Sequence, residues 1–350
     1  MIRVGFLGCG LIARHHGDGL RDVPDATIGL VHDVDSARAR AFAAHVAASA
    51  VSSGDAVIEA SDAVYVCTWT AAHRELVEAV AAAGKHVFCE KPLATELADA
   101  RAMTEAVERA GIVNQTGLIL RRSPSFRWLK QSLNGGPIMN LVFRDDQYLP
   151  TQGLYGSTWR GDASLAGSGT LLEHSIHDLD LIDWLMGPIV SVSAVTHEHH
   201  GLVGIEESAT VTLVAESGAQ ATLVSVWHDV LSRPSQRRVE IFTTDAVLTL
   251  EGDWHGPVSV ERSDRAGHPN RQRLEGTELE GQLRDGLGTN PDAAFIESIV
   301  RRTDASPSFR VALRAHELAD AAYRSAASGG AAVSVRPTSS TLRPGNPAAS

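Results

Sequence analysis

The sequence predicts an α/β fold for its N-terminal third, followed by a second domain built around a largely antiparallel sheet. Up to about residue 116, short runs rich in Val and Ile alternate with Ala-rich stretches of helical length, which is typical of β-α-β units around a parallel sheet. A glycine-rich loop directly follows the first of these runs. Beyond residue 189, strand-like runs follow one another at hairpin spacing, which indicates antiparallel pairing.

Length, composition and charge are those of an ordinary globular protein. The 350 residues allow two domains at a prior of about 150 residues each, and 43% hydrophobic and 21% charged residues exclude a fibrous or wholly disordered chain. The net charge of -11, without a basic cluster, argues against a nucleic-acid partner. No run reaches the roughly 18 apolar residues of a membrane span, and the three cysteines lack CxxC spacing. We expect a cytoplasmic protein with reduced thiols and no membrane partner.

The N-terminal domain is predicted to span residues 1–118. Its strands have near-continuous apolar character, which indicates burial on both faces of the sheet. They are predicted at residues 2–8, 26–33, 63–68, 85–90 and 112–116. Crossover helices are predicted over 71–83 and 95–110, with Thr95 as N-cap of the second and Gly111 as its stop.

The second domain is predicted to span residues 119–336. It begins with a short helix up to Leu133 and a strand up to about Leu149. A helix is then predicted over 170–186, and it ends before Gly187 and a proline that cannot continue it.

The rest of this domain is predicted as a sheet closed by two helices. The strands between residues 189 and 261 include 209–215 and 219–227, and the helices are predicted over 291–302 and 309–327. The final segment, 337–350, is rich in Pro, Ser, Thr and Gly and has little apolar surface to bury, so we expect it to be a disordered tail.

The loop after the first strand has the pattern G-x-G-x-x-A, formed by Gly8, Gly10 and Ala13 with Leu11 and Ile12 between them. Gly8 permits a tight turn, Gly10 lets a pyrophosphate approach the backbone, and Ala13 is small enough for close helix-strand contact. The free N–H groups at the start of the next helix would then face the phosphates. We therefore predict that these five residues bind a dinucleotide.

Asp33 ends the second predicted strand, about twenty residues after the loop, where its carboxylate can accept both ribose hydroxyls of the adenosine half. A 2'-phosphate about 4 Å from this carboxylate would be repelled by roughly 4 kcal/mol per charge pair at an effective dielectric near 20. The sequence therefore favours NAD over NADP, unless Arg38 or Arg40 swings in to compensate.

Two further motifs carry a family resemblance. Glu90-Lys91-Pro92 ends a later strand, and a Gly-Ser-Gly sequence at 167–169 precedes the segment 173–180, which reads EHSIHDLD. Together with the glycine loop and residues 68–73, they make the chain resemble the glucose-fructose oxidoreductase and inositol dehydrogenase family, known as Gfo/Idh/MocA, up to about residue 336. The resemblance implies an N-terminal Rossmann domain, which is a doubly wound parallel sheet, and a C-terminal α+β domain with an open sheet. It also implies NAD(P)-dependent chemistry on sugars, cyclitols or related polyols, and a homodimer or homotetramer formed through the C-terminal sheet.

The resemblance also assigns residues. The family's catalytic lysine corresponds to Lys91, and its usual Asp and His pair corresponds to Glu173 and His177. Further cofactor contacts are expected from Thr68, Trp69, His73 and Glu90, the last of which also holds Lys91 in place. The substrate is expected to meet the three catalytic residues together with Arg122, Trp159 and Arg160. The chain departs from the family pattern in having Glu173 for Asp, Ser175 for Gly and Trp69 for Pro, and each change affects substrate fit more than reaction type.

The residues themselves favour the same chemistry. Within the predicted helix over 170–186, apolar residues form one stripe, and Glu173 and His177 lie on the neighbouring stripe, so the helix can anchor itself and still present them to a cleft. His177, with a usual pKa near 6.5, can take the proton of a secondary alcohol and contribute about 10² to 10⁴ in rate. Lys91 can stabilise the developing alkoxide. Glu173 could either contact substrate or orient the imidazole.

The leading hypothesis is an NAD-dependent dehydrogenase of a sugar, cyclitol or related polyol. Two alternatives are a non-catalytic NAD-binding regulator on the same fold and a glycosidase that uses NAD as a transient oxidant. The joint presence of Lys91, Glu173 and His177 argues against the regulator. A metal cluster of Glu173, His174, His177 and Asp178 is a further possible interpretation, but oxidation by nicotinamide needs no metal, so none is expected.

Overall fold

Two sheets organise the protein. The structure is a computed structural model that describes residues 1–263 and 266–336, and these residues form one sheet of six strands and one of nine. The predicted α/β fold class, with a doubly wound parallel sheet and an α+β domain built on a largely antiparallel sheet, is confirmed. The segment that we expected to be a disordered tail, 337–350, lies outside the described residues.

The first sheet is parallel throughout. Its strands are β1 (Ile2–Leu7), β2 (Ala26–His32), β3 (Ser49–Ala50), β4 (Ala63–Val66), β5 (His86–Cys89) and β6 (Asn114–Thr116). Their order across the sheet is β3-β2-β1-β4-β5-β6. The chain reverses direction across the sheet between β1 and β4, and ligands of open α/β sheets bind at the carboxyl edge next to such a reversal.

Helices cover both faces of this sheet. They are α1 (Leu11–Leu20), α2 (Ser36–Val46), α3 (Gly54–Ala60), α4 (His73–Ala82) and α5 (Leu97–Ala110). The core residues of α3, α4 and α5 share one apolar cluster, and those of α1 and α2 share another on the opposite face. Glu96, not the predicted Thr95, is the N-cap of α5, whereas Gly111 ends it as predicted, in the left-handed conformation with φ 64°.

The second half contains the nine-stranded sheet and seven helices within the described ranges. The helices are α6 (Pro124–Leu133), α7 (Ala163–Ala166), α8 (Thr170–Glu173), α9 (Ile176–Met186), α10 (Gly276–Gly281), α11 (Pro291–Arg301) and α12 (Phe309–Ala327). The strands are β7 (Ile138–Tyr148), β8 (Ile189–His197), β9 (Ser208–Ala215), β10 (Gln220–His228), β11 (Gln236–Thr243), β12 (Ala246–Glu251), β13 (Val258–Ser263), β14 (Pro269–Leu274) and β15 (Val333–Ser334).

The order of the second sheet is β14-β13-β12-β11-β7-β10-β9-β8-β15. Among the described strands, β7 and β10 pair in parallel, while the other neighbours are antiparallel, as the hairpin spacing predicted. One face packs against α9 and α12 in a core that also includes residues of the first sheet. The other face carries partly exposed apolar side chains, including Val142, Phe242 and Val247.

Helix α11 differs from its predicted place. The sequence indicated a helix that closes the second domain, but its apolar side chains Phe295, Ile296 and Ile299 lie in the core of the first sheet, beside α1 and α2. The ring of Phe295 lies 5.7 Å from that of Tyr65 on β4, centroid to centroid. The chain therefore returns to the first sheet after completing the second. No helix in the described part of the chain is long and apolar enough to cross a membrane.

Candidate active site

Three strand ends meet at one edge of the first sheet and define the candidate site. Leu7, Val66 and Cys89, the last residues of β1, β4 and β5, lie side by side in register. The glycine loop, the segment beginning at Thr68 and the Glu90-Lys91-Pro92 segment follow these three strands. Three motifs that are far apart in sequence are therefore adjacent at the carboxyl edge, where a ligand of this fold class binds.

The glycine loop has the shape that a dinucleotide phosphate needs. Gly8 has φ +90°, and a Cβ there would lie 2.5 Å from the carbonyl oxygen of Cys67, so only glycine fits without strain. A Cβ at Gly10 would meet nothing within 4 Å, which leaves open space in front of the N-terminus of α1. Ala13 is fully buried against the sheet. The residues present therefore fit a pyrophosphate at this helix start.

Asp33 lies beside this loop. Its Oδ2 accepts the Cys9 N–H at 2.8 Å, and its Oδ1 accepts the Asp35 N–H at 2.8 Å. The guanidinium of Arg38 lies 3.5 Å from the same carboxylate. Arg38 was predicted as a residue that could offset the repulsion between Asp33 and a 2'-phosphate, and its guanidinium already lies next to Asp33.

His73 connects two of the three loops. It is 1% exposed, with Nδ1 3.0 Å from the Pro92 carbonyl oxygen and Nε2 3.2 Å from that of Thr68. Thr68 and Trp69 are both half-buried, and the Thr68 hydroxyl donates to the Trp69 carbonyl at 3.3 Å. These contacts support a positioning role for His73, which holds the Thr68 loop against the Lys91-Pro92 segment.

The single helix predicted over 170–186 is wrong, because the chain breaks between α8 and α9. Ser175 Oγ lies 2.6 Å from Ser225 Oγ and 3.2 Å from Asp145 Oδ2, and the Ser175 N–H donates to the Thr170 carbonyl at 2.8 Å, one residue further back than in an α-helix. These contacts hold Ser175 against β7 and β10 at the point where the α-helical hydrogen-bond pattern is interrupted. Glu173 and His177 consequently lie on separate helices.

Glu173 holds two cations. Its Oε1 accepts Arg160 Nε at 2.6 Å and lies 3.6 Å from Lys91 Nζ, which also donates to the Glu173 carbonyl at 2.5 Å. Burial would raise the pKa of Glu173, but the charges of Arg160 and Lys91 outweigh it and keep the pKa below its usual range. The Arg160 guanidinium also lies 4.6 Å from the ring centroid of Trp159.

His177 is a buried neutral base beside this cluster. Burial and, next, the charges of Lys91 and Arg237 lower its pKa well below the usual value. Its Nδ1 is buried and has no hydrogen-bond partner among the described residues. The hydrogen bonds of Glu173 go to Arg160 and Lys91, so the structure favours the anchoring of cations over direct orientation of the imidazole.

A buried polar cluster under the α8–α9 break was missed by the sequence analysis. Arg237 on β11 donates to Asp178 at 2.6 Å, to Asp253 at 2.9 Å and to Asp145 at 3.1 Å. Burial and the neighbouring Asp145, acting against the lowering effect of Arg237, raise the pKa of Asp178 to about 7. His174 Nε2 lies 2.9 Å from Asp145 Oδ2. The signal for this cluster in the sequence is the presence of charged residues at strand positions whose side chains face the core, because such residues need buried partners.

Two other predicted residues have partners outside the cleft. Glu90 is 7% exposed; one of its oxygens contacts His16 at 2.8 Å and the other accepts the Lys91 N–H at 3.2 Å. Arg122 donates to the Ser306 carbonyl at 3.4 Å, and burial and the charge of Arg127 lower its pKa. The structure does not bring Arg122 into contact with Lys91, Glu173 or His177.

No group of three or more His, Cys, Asp or Glu side chains among the described residues is arranged to hold a metal ion. In particular, His174 contacts Asp145, while Glu173 contacts Arg160 and Lys91. The four residues of the alternative metal cluster therefore make separate contacts and do not converge on one position for an ion.

Comparisons with known proteins cover most of the chain. Residues 2–118 match the family described as "Oxidoreductase family, NAD-binding Rossmann fold", and residues 126–278 match the "GFO/IDH/MocA C-terminal domain". The chain is 31% identical to myo-inositol 2-dehydrogenase of Thermotoga maritima over 69% of this chain and 72% of that one. It is 28% identical to inositol 2-dehydrogenase of Rhizobium meliloti over 93% and 97% of the two chains. A levoglucosan dehydrogenase solved with NADH has the same fold, with a TM-score of 0.84, 22% identity and coverage of 96% and 100%.

Proposed function

The chain belongs to the Gfo/Idh/MocA family of oxidoreductases with an NAD-binding Rossmann fold, and we propose that it transfers a hydride between NAD and a secondary alcohol of a sugar, cyclitol or related polyol. Relatives named as inositol 2-dehydrogenases and a 1,5-anhydro-D-fructose reductase support this substrate class. The observation that carries the proposal is a buried His177 within electrostatic range of the Lys91 ammonium, which follows a strand end at the carboxyl edge next to the glycine loop.

Each of the site residues has a separate role in the proposed hydride transfer. NAD, when bound, supplies the acceptor for the hydride that leaves the alcohol carbon. His177 accepts the hydroxyl proton, which it can do at neutral pH because its lowered pKa leaves the ring unprotonated. Lys91 donates a hydrogen bond to the reacting oxygen and stabilises the negative charge that develops there. Glu173 holds the Lys91 ammonium through its carbonyl and its carboxylate.

Substrate recognition is proposed for Trp159 and Arg160. The guanidinium of Arg160 is fixed by Glu173 on one side and by the Trp159 ring on the other, so its remaining N–H groups have a defined direction. A planar donor beside an aromatic face suits a ligand with several hydroxyls or a carboxylate. The predicted substrate contact of Arg122 stays a prediction, because its described hydrogen bond, to the Ser306 carbonyl, does not connect it with Arg160 or Trp159.

Cofactor choice is proposed to favour NAD because Asp33 faces the glycine loop, where it can accept the ribose hydroxyls. Arg38, 3.5 Å from Asp33, reduces the repulsion that a 2'-phosphate would meet. We expect a preference for NAD that is not absolute. We also propose that the chain forms a homodimer or homotetramer through the face of the nine-stranded sheet that no helix covers in the described part of the chain.

A panel of inositols, aldoses, anhydrosugars and sugar acids, assayed for NADH and NADPH formation in parallel, tests the proposal. We expect NADH formation with at least one polyol, at a higher kcat/KM than the reaction with NADP. Binding of NAD without turnover of any panel member would contradict the proposal and favour a regulator. Isotope exchange at a sugar carbon without net NADH would instead indicate the glycosidase chemistry.

A further inference from the structure

A buried histidine joins the catalytic lysine segment to two distant helices. His16 lies on α1 and is fully buried. Its Nε2 lies 2.8 Å from Glu90 Oε1, and its Nδ1 lies 2.7 Å from Asp292 Oδ1 on α11. One imidazole therefore bridges two carboxylates from segments separated by about two hundred residues of chain, in a place where water has no access.

The surrounding backbone is shaped around this bridge. A Cβ at Gly117 would lie 2.4 Å from Glu90 Oε1, and a Cβ at Gly19 would lie 2.2 Å from Asp292 Oδ2. Asn290, which caps the start of α11, donates to the Gly19 carbonyl at 2.7 Å. Glycine at both positions lets the two carboxylates approach His16 from opposite sides. The arrangement is therefore built from several independent segments.

The charge of the bridge follows from its contacts. Burial alone would lower the pKa of His16, but Asp292 and Glu90 together raise it to about 10, so the ring is an imidazolium at neutral pH. The same contact keeps the pKa of Glu90 below its usual value against the opposing effect of burial. Glu90 is thus held as an anion inside the protein, next to Lys91 in the chain.

Glu90 passes this restraint to Lys91 in two ways. Its Oε2 accepts the Lys91 N–H at 3.2 Å, which fixes the backbone from which the catalytic side chain extends. Its negative charge is also stabilised by the charge of Lys91, which helps to keep Glu90 ionised. A shift of the Glu90 carboxylate would therefore displace the backbone from which the Lys91 side chain extends.

We propose that His16 and Asp292 are positioning residues, which fix Lys91 through Glu90. The catalytic ammonium of Lys91 is then correctly placed only when α11 is docked. This inference rests on the proposed role of Lys91 in the reaction. It assigns a function to a helix outside the 2–118 and 126–278 matches to known domains. A buried ionic bridge is weak support for stability by itself, because apolar residues of similar volume would often serve as well.

Two conservative variants and one matched control test this proposal. His16→Gln removes the positive charge of the bridge, and Asp292→Asn removes one of its two negative charges. Each new side chain is close in shape to the one that it replaces. Gln115→Met removes a different buried hydrogen bond to the same helix start, since Gln115 Nε2 donates to the Pro291 carbonyl at 3.0 Å. We expect both bridge variants to lose kcat by about 10- to 100-fold, the scale of a misplaced catalytic group, with NAD affinity retained. The control should lose thermal stability but keep kcat.

Amine labelling reads out Lys91 without any turnover. The chain has three lysines, Lys85, Lys91 and Lys130, so trace acetylation followed by mass spectrometry reports each one separately. We expect the labelling of Lys91 relative to Lys85 to rise in both bridge variants and to stay unchanged in Gln115→Met. If either folded bridge variant matches the control in kcat and in Lys91 labelling, the bridge only docks α11 and the inference is wrong. A wild-type protein that oxidises no polyol would contradict the proposed function, while the labelling ratio would still decide the inference.

Discussion

The protonation state of His177 is set by its immediate neighbours. The imidazole is 8% exposed and lies near Lys91 and Arg237, so adding a proton would bury a third positive charge. Asp178, the next residue in the chain, is a buried carboxyl group whose pKa is raised to about 7. Below that pH it is largely protonated, so it offers little negative charge to stabilise a protonated His177. A neutral histidine is the form that can accept a proton from an alcohol.

The pH profile of oxidation should report this state. Because the pKa of His177 is lowered, the ring stays unprotonated as the pH falls past 6.5, and kcat/KM should decline only at more acid pH. His177→Ala should lower kcat by about 10² to 10⁴ and remove this acid limb, while NAD binding, measured by fluorescence titration, should be retained. An acid limb centred at or above pH 6.5 in the wild-type protein would contradict the assignment.

Local pattern predicted the elements well where the apolar periodicity of a segment marks it. Five of the six strands of the first sheet begin and end within two residues of the predicted positions, and α12 has the predicted bounds, whereas the two-residue strand β3 was not predicted. The break between α8 and α9 could not be predicted from helical periodicity. It coincides with the contacts of the Ser175 hydroxyl with Asp145 on β7 and Ser225 on β10, which are distant in sequence.

At the β1–α1 turn, two glycines should respond in opposite ways to the same change. Gly10→Ala should leave the melting temperature unchanged because its Cβ would enter open space, but it should weaken NAD binding by about tenfold by intruding on the phosphate position. Gly8→Ala should destabilise the fold by about 1 kcal/mol or more, since φ +90° and the Cys67 carbonyl at 2.5 Å exclude a side chain. Thermal melts and calorimetric NAD titrations distinguish the two. A stable Gly10→Ala protein with wild-type NAD affinity would show that the open space is not the phosphate site.

On the scale of the whole molecule, no helix among the described residues covers one face of the nine-stranded sheet. Val142 is 38% exposed and Phe242 37%, and both point away from the core side of neighbouring strands. Phe242 pairs directly with Val247 on β12, which is also partly exposed, and neighbouring exposed apolar groups on a sheet face are typical of surfaces that bind another chain. This supports the proposed contact between copies of the protein.

The oligomeric state is expected to depend on this face. Light scattering after gel filtration should give a dimer or tetramer for the wild-type protein, and Val142→Glu or Phe242→Glu should shift it toward the monomer, because a buried unpaired carboxylate costs several kcal/mol. Val203→Glu is the matched control, since Val203 is 85% exposed and lies outside the sheet. A mass that is unaffected by the two sheet variants would place the interface elsewhere or show that none forms.

Features that depend on residues adjacent in the chain could be predicted without the structure. The glycine loop, the strand ends, the acidic residue after β2 and the family motifs are all short segments, so fold class, family and the NAD-binding region could be predicted from them. The tertiary structure alone decided the pairing of Glu173 with Arg160, the neutral state of His177 and the bridge from Glu90 through His16 to Asp292. These depend on burial and on contacts between distant segments, because a charge in a dry interior is governed by whichever groups the fold places around it.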